Sequence, residues 1–113
     1  MYIQTRTDDL PSDESIRPWG HYTVLLDASD CKVKRIVIKP GQAPSYQYHY
    51  KRSELWQIIS GEGEVTINGK VSMIKAGETV FVDPEDKHMI QNTGEVNLVF
   101  IEIQTGTYFG EDD

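Results

Sequence analysis

The 113-residue chain suits one domain with a modest core, and 38% hydrophobic with 10% aromatic residues fits a globular protein. Eighteen acidic against 11 basic residues give a formal charge of −7, which argues against a nucleic-acid partner and demands a local basic patch for any anionic substrate. No apolar run approaches the roughly 18 residues of a membrane span, and the N-terminus lacks a basic-then-apolar signal pattern, so a cytoplasmic protein without a membrane partner is expected. Cys31, the single cysteine, excludes an intrachain disulfide and reads as a packed or strand-start residue.

Residues 1–16 are polar and acidic (Asp8, Asp9, Asp13, Glu14) with Pro11 as punctuation. They read as an arm, or Tyr2–Thr5 adds a strand to a neighbouring subunit's sheet edge. A single domain over residues 17–113 opens with Arg17-Pro18-Trp19-Gly20. His21–Leu26 and Lys32–Ile38 are strand-like, rich in β-branched and apolar residues, with Asp27–Asp30 as the turn between them and Pro40-Gly41 as the end of the second. Leu55–Ile59 reads as a buried strand closed by Ser60-Gly61. Glu64–Ile67 and Lys70–Met73 then alternate polar and apolar around Asn68-Gly69, the signature of a two-residue type I′ hairpin. Val65, Ile67, Val71 and Met73 are expected to face the core. Thr79–Val82, His88–Gln91 and Val96–Ile103 complete the strands, the last apolar on both faces apart from Asn97 and Glu102 and so expected to be covered on both sides. No helix of three turns is visible. Short strands with frequent turn signals predict an all-β sandwich or barrel.

Chemistry concentrates in two stretches. In Gly41–Gly61, Gln47 and His49 sit two apart, on one face if the segment is extended, and Glu54 follows. In Gly77–Asn92, His88 opens a short strand. Two imidazoles and a carboxylate are a common ligand set for a catalytic divalent metal, leaving positions for water or substrate. A lone histidine in an apolar strand is usually just a packed residue; the paired spacing is what singles these out. Gly41, five residues, Gln47, one, His49, four, Glu54, six and Gly61, then Gly77, His88 and Asn92, resemble the two motifs of the cupins in order and spacing. The resemblance implies a single cupin-type double-stranded β-helix, a jelly-roll barrel.

A closer resemblance covers residues 17–113. Arg17-Pro18-Trp19-Gly20 with Tyr22, Lys32–Ile36, Pro40-Gly41, Gln47-x-His49, Arg52, Glu54, Trp56, His88, Asn92, and Glu102-x-Gln104-Thr105-Gly106-x-Tyr108-x-Gly110-Glu111-Asp112-Asp113 are similar to the C-terminal cupin domain of type II phosphomannose isomerases, usually fused behind a mannose-1-phosphate guanylyltransferase. It implies metal ligation by Gln47, His49, Glu54 and His88, with zinc expected first and manganese, cobalt, nickel or iron as alternatives. It also implies interconversion of mannose 6-phosphate and fructose 6-phosphate. The sequence departs from that family where Tyr50, Lys51 and Leu55 replace histidines, where Met89 replaces a basic residue, and where Asp83 and Glu85 replace the usual cupin proline and glycine.

An isomerase of this kind needs cations for the phosphate and a base to move a proton between C1 and C2. Arg52 and Lys87, nearest the ligands in sequence, are the candidate catalytic residues, and Lys34, Arg35 and Tyr48 the candidate substrate contacts. Tyr46, Tyr48 and Glu62 are candidate bases, and Trp19 and Trp56 read as core. A sugar phosphate is the expected small-molecule partner and a homodimer the expected assembly. The alternatives are a non-catalytic sugar- or metabolite-binding cupin and an iron-dependent cupin oxygenase.

Overall fold

The computed structural model of the protein describes residues 15–113. The expected arm, including the Tyr2–Thr5 edge strand, falls outside the described residues except at its last two positions. Ile16–Arg17 form β1, paired to Gly20 and His21 at the start of β2 (Gly20–Asp27). The remaining strands are β3 (Cys31–Ile38), β4 (Arg52–Ser60), β5 (Glu62–Ile67), β6 (Lys70–Lys75), β7 (Thr79–Val82), β8 (His88–Asn92) and β9 (Leu98–Gly106). They make one sheet in the order β1-β2-β3-β9-β4-β7 and a second in the order β6-β5-β8, every pair antiparallel. No helix of the described residues is long and apolar enough to cross a membrane. Cys31 opens β3 as a half-buried free thiol.

The centre of the larger sheet places the site. Successive side chains of a strand face opposite ways, and β4 buries Arg52, Glu54, Trp56 and Ile58 while their neighbours stay partly exposed. β9 aligns Phe100 with Ile58, Glu102 with Trp56 and Gln104 with Glu54. On its other edge Leu98 meets Ile38, Phe100 meets Ile36 and Glu102 meets Lys34. The inward face of β3-β9-β4 is therefore graded. Ile38, Leu98, Ile36, Phe100 and Ile58 fill one end with apolar side chains, closed from the smaller sheet by Val65, Ile74 and Ile90. Lys34, Glu102, Gln104, Glu54 and Arg52 occupy the other, every one buried. The outward residues Ile101 and Ile103 are only half-buried, so β9 is not covered on both sides as expected.

The hairpin corrects a second expectation. Asn68 and Gly69 take φ of 50° and 83°, as a type I′ turn requires. A two-residue loop pairs Ile67 with Lys70 and Val65 with Ser72, so odd positions of β5 share a face with even positions of β6. Val65 is buried and Ile74 joins it, while Val71 and Met73 point to solvent, more than half exposed.

The segment between β3 and β4 is irregular and not the extended strand expected around Gln47 and His49. It is tied down at defined points. The backbone N–H of Gln47 donates to the His88 carbonyl and that of His88 to the Gln47 carbonyl, at 2.9 and 2.8 Å. Lower down, Gly41 N–H donates to Asn92 O and Asn92 N–H to Gln42 O. The Asn92 side chain, fully buried, donates to the carbonyls of Ile38 and Val96, both at 2.8 Å. These bonds bring the stretch that carries Gln47 and His49 against the one that carries His88.

Candidate metal centre

His49, Glu54 and His88 come together from a loop, β4 and the first residue of β8. All three are buried, and one donor atom from each lies within 4.8 Å of the others. His49 Nε2 is 3.6 Å from Glu54 Oε2, and His88 Nε2 is 3.8 Å from Glu54 Oε1. Ligands at about 2.1 Å from a tetrahedral ion stand roughly 3.4 Å apart, so the donor atoms must draw closer together to hold one.

The tautomers also fit. His88 Nδ1 lies 3.0 Å from the Asp86 carbonyl, which can only accept, so Nδ1 carries the proton and the Nε2 lone pair faces Glu54. Arg52 is donor-only and its Nη2 lies 3.0 Å from His49 Nε2, so that nitrogen accepts and His49 Nδ1–H turns to the Asp113 carbonyl at 3.4 Å. Backbone carbonyls behind both rings are the support that metal-binding histidines ordinarily have. Burial first, and then the Arg52 charge, lower the His49 pKa and keep the ring neutral. Burial by itself would raise the Glu54 pKa, but Arg52, a hydrogen bond with Glu102, His88 and the Trp56 indole outweigh it and keep the group a carboxylate. Trp56 Nε1–H donates to Oε1 at 3.0 Å and Arg52 Nε–H to Oε2 at 2.8 Å.

Arg52 thus holds the same two atoms, His49 Nε2 and Glu54 Oε2, that a metal would take. His49 Nε2 has one lone pair, so an ion bound there requires Arg52 to release it. Gln47 stands beside the cluster. Its amide nitrogen donates to Ser45 Oγ at 3.1 Å, which leaves the amide oxygen as its available ligand atom.

A cavity of about 320 Å³ opens beside these groups. Gln47, Glu54 and His88 line it together with Lys34, Arg52 and Glu102, and Trp19, Tyr22 and Trp56 supply aromatic walls. Trp56 is both core and cavity wall: its ring packs on Phe100 and edge-on to His88. His49 does not line the cavity; the Arg52 guanidinium bonded to it does.

Several sequence-derived candidates are elsewhere. Arg35 alternates with Lys34 and Ile36, both of which line the cavity, and so lies on the opposite face of β3. Lys87 is exposed at the hairpin end, where its backbone N–H donates to Asn68 Oδ1 at 2.8 Å. Tyr48 is absent from the cavity wall, is 44% exposed, and meets Tyr50 edge-on. Tyr46 and Glu62, the other candidate bases, are exposed and absent from the cavity wall.

Two acids take their place. Glu102 is buried in β9, accepts a hydrogen bond from Gln104 Nε2 at 2.6 Å, and has its pKa pushed up to about 8 by burial and then by the neighbouring Glu54 carboxylate. Its signal in the sequence was a polar residue in step with Leu98 and Phe100, hence inward. Glu111 lines the cavity from the C-terminal segment, 3.2 Å from Lys34 Nζ. Partial burial works to raise its pKa, but Lys34 and Arg52 outweigh this and hold the carboxyl below its ordinary range.

The strand order and the buried two-histidine, one-carboxylate cluster together define a cupin domain. Among solved structures, the fold matches an uncharacterised conserved double-stranded β-helix protein from Klebsiella pneumoniae at TM-score 0.76 and 29% identity, over 87% of this chain and 89% of that one. It matches a predicted oxalate decarboxylase from Thermotoga maritima at TM-score 0.73 and 30% identity, over 76% and 79%. More particularly, the chain belongs to the Mannose-6-phosphate isomerase C-terminal family, whose model matches residues 5–113. A mannose-1-phosphate guanylyltransferase from Salmonella montevideo is 38% identical over 111 residues, covering 98% of this chain but 24% of the relative. The chain therefore spans about a quarter of the length of this curated relative.

Proposed function

We propose that this domain is a metal-dependent sugar-phosphate isomerase interconverting mannose 6-phosphate and fructose 6-phosphate. The observation that carries the reading is one cavity lined by Glu54 and His88 of the His49–Glu54–His88 cluster, by the buried cations Lys34 and Arg52 and by the buried Glu102, in a chain of this family. Its volume of about 320 Å³ lies at the lower end of the range for small-molecule sites and suits a hexose phosphate.

His49, Glu54 and His88, with Gln47 as fourth donor, would hold the ion, zinc first among the first-row divalent metals. When bound, it supplies Lewis acidity toward a sugar oxygen. The chain's own side chains do the rest. Lys34 and Arg52 would face the phosphate, Arg52 through Nη1, the nitrogen that its bonds to Glu54 and His49 leave without a hydrogen bond. Trp56 and Tyr22 wall the sugar and limit water. Glu102, its pKa raised to about 8, is chiefly the acid near neutral pH, and its ionised fraction, which grows as pH rises, is the form that would take a proton from one carbon and return it to the next, as an enediol pathway requires.

The test is a coupled assay for fructose 6-phosphate formed from mannose 6-phosphate. The protein is stripped of metal and reloaded separately with zinc, cobalt, manganese, nickel and iron, with His49→Ala as control. Metal-dependent turnover that vanishes in His49→Ala is expected. Stoichiometric metal uptake without turnover by any ion would sink the isomerase reading and leave a binding cupin.

A further inference from the structure

The chain leaves β9 at Gly106, whose φ of 148° and close approach to the Lys51 carbonyl admit no side chain. Residues 107–113 then fold back against Tyr50 and Lys51, and Glu111 reaches the cavity wall. Thr107 N–H donates to Lys51 O at 3.0 Å, and the Asp113 carboxylate accepts from the backbone N–H of Tyr50 and Lys51 at 3.2 and 3.0 Å. Between these anchors Glu111 is held against the cationic wall. Its Oε2 is 3.2 Å from Lys34 Nζ and 3.7 Å from Arg52 Nη1.

The fit is incomplete in an informative way. Lys34 and Arg52 are 6% and 4% exposed, yet the side chain of Glu111 is 59% exposed. Arg52 Nη1 is buried with no hydrogen-bond partner. A separation of 3.7 Å is an ion-pair contact but is too long for a hydrogen bond. One carboxylate oxygen is thus shared between two cations and satisfies only the lysine. A phosphate monoester brings three terminal oxygens and a charge of about −1.5 to −2 near neutral pH, enough to bond Lys34 Nζ and Arg52 Nη1 separately. Glu111 can turn outward because the anchors at Thr107 and Asp113 do not depend on it.

We infer that Glu111 is an internal occupant of the Lys34–Arg52 phosphate site proposed above, and that the incoming phosphate monoester displaces it. This deepens, and rests on, the sugar-phosphate reading above. Glu111 then acts as a filter: weaker or singly charged anions do not dislodge it, so the cavity selects for phosphate.

Isothermal titration of the full chain with inorganic phosphate and with mannose 6-phosphate tests the inference without reading turnover. Glu111→Gln, at a largely exposed position, is expected to tighten both about threefold to tenfold and to leave mannose, which lacks the phosphate, unchanged. Lys34→Met is expected to weaken both at least about tenfold. Unchanged or weaker phosphate binding in Glu111→Gln would overturn the inference. So would phosphate binding unaffected by Lys34→Met, which would locate the anion on the metal, or no phosphate binding in wild type and Glu111→Gln alike. A protein without isomerase turnover whose phosphate affinity still rises in Glu111→Gln keeps the subsite and loses only the isomerase.

Discussion

The two ends of the barrel interior are built from the same three strands, on the same face, in consecutive rows. At one end Ile38, Leu98, Ile36, Phe100 and Ile58 interlock with no titratable group among them. Two to four residues along, the rows become Lys34-Glu102-Trp56 and Gln104-Glu54, with Arg52 beyond. Burial is equally deep at both ends, but its physical consequence differs. Buried apolar rows contribute the hydrophobic stabilisation of the fold. Buried charges contribute little net stability and are costly when one partner is removed. The apolar end accounts for why the barrel holds, and the polar end for what it does.

That contrast can be broken most sharply at Arg52. Replacing it by Met leaves the buried Glu54 carboxylate without its cation, and the metal-free protein should lose about 3–5 kcal/mol. Saturating zinc should restore much of that loss, because an ion takes over the same two atoms; urea unfolding with and without zinc measures both. At the apolar end Leu98→Ala should cost about 2–5 kcal/mol while leaving zinc affinity at the wild-type value, since Leu98 lies outside the cavity wall. A loss of affinity there would show that the two ends are not separable.

A subtler difference is in pH. Glu102 is raised from 4.5 to about 8, so the folded chain holds a proton that the unfolded chain releases. Its contribution to stability is complete below pH 4.5 and declines as pH rises through about 8. Urea unfolding of chelator-treated protein at pH 5, 7 and 9 should show that decline in wild type and lack it in Glu102→Gln. The smallest effect lies outside both ends. Glu85 occupies the left-handed region at φ 69°, where the cupin pattern has glycine. Glu85→Gly should relieve that strain against glycine's greater entropy loss, for a net gain of about 0.5–1 kcal/mol in thermal unfolding.

The sequence carried the local features well. Asn68-Gly69 dictated its turn, and the spacing of Gln47, His49, Glu54 and His88 identified residues that the fold brings together. What it did not carry was set by pairing between distant strands. Val71 and Met73 look like core by alternation alone, and only the Ile67–Lys70 pairing turns them outward. Lys34 and Arg35 are equivalent as basic residues until the register of β3 against β9 puts Lys34 opposite Glu102. Lys87 is adjacent to His88 in the chain, yet it sits just before β8 and is exposed where His88 is buried. The roles of Glu102 and Glu111 depend on charges contributed by other strands, which no local pattern reports.

The most direct test of the metal centre is anomalous scattering from crystals of the zinc-loaded protein, with data collected on both sides of the zinc edge. A single strong peak within bonding distance of His49 Nε2, Glu54 and His88 Nε2, with the Arg52 guanidinium moved off His49, is the predicted result. Zinc bound elsewhere, or Arg52 still bonded to His49 Nε2 with no peak in the cluster, would contradict it.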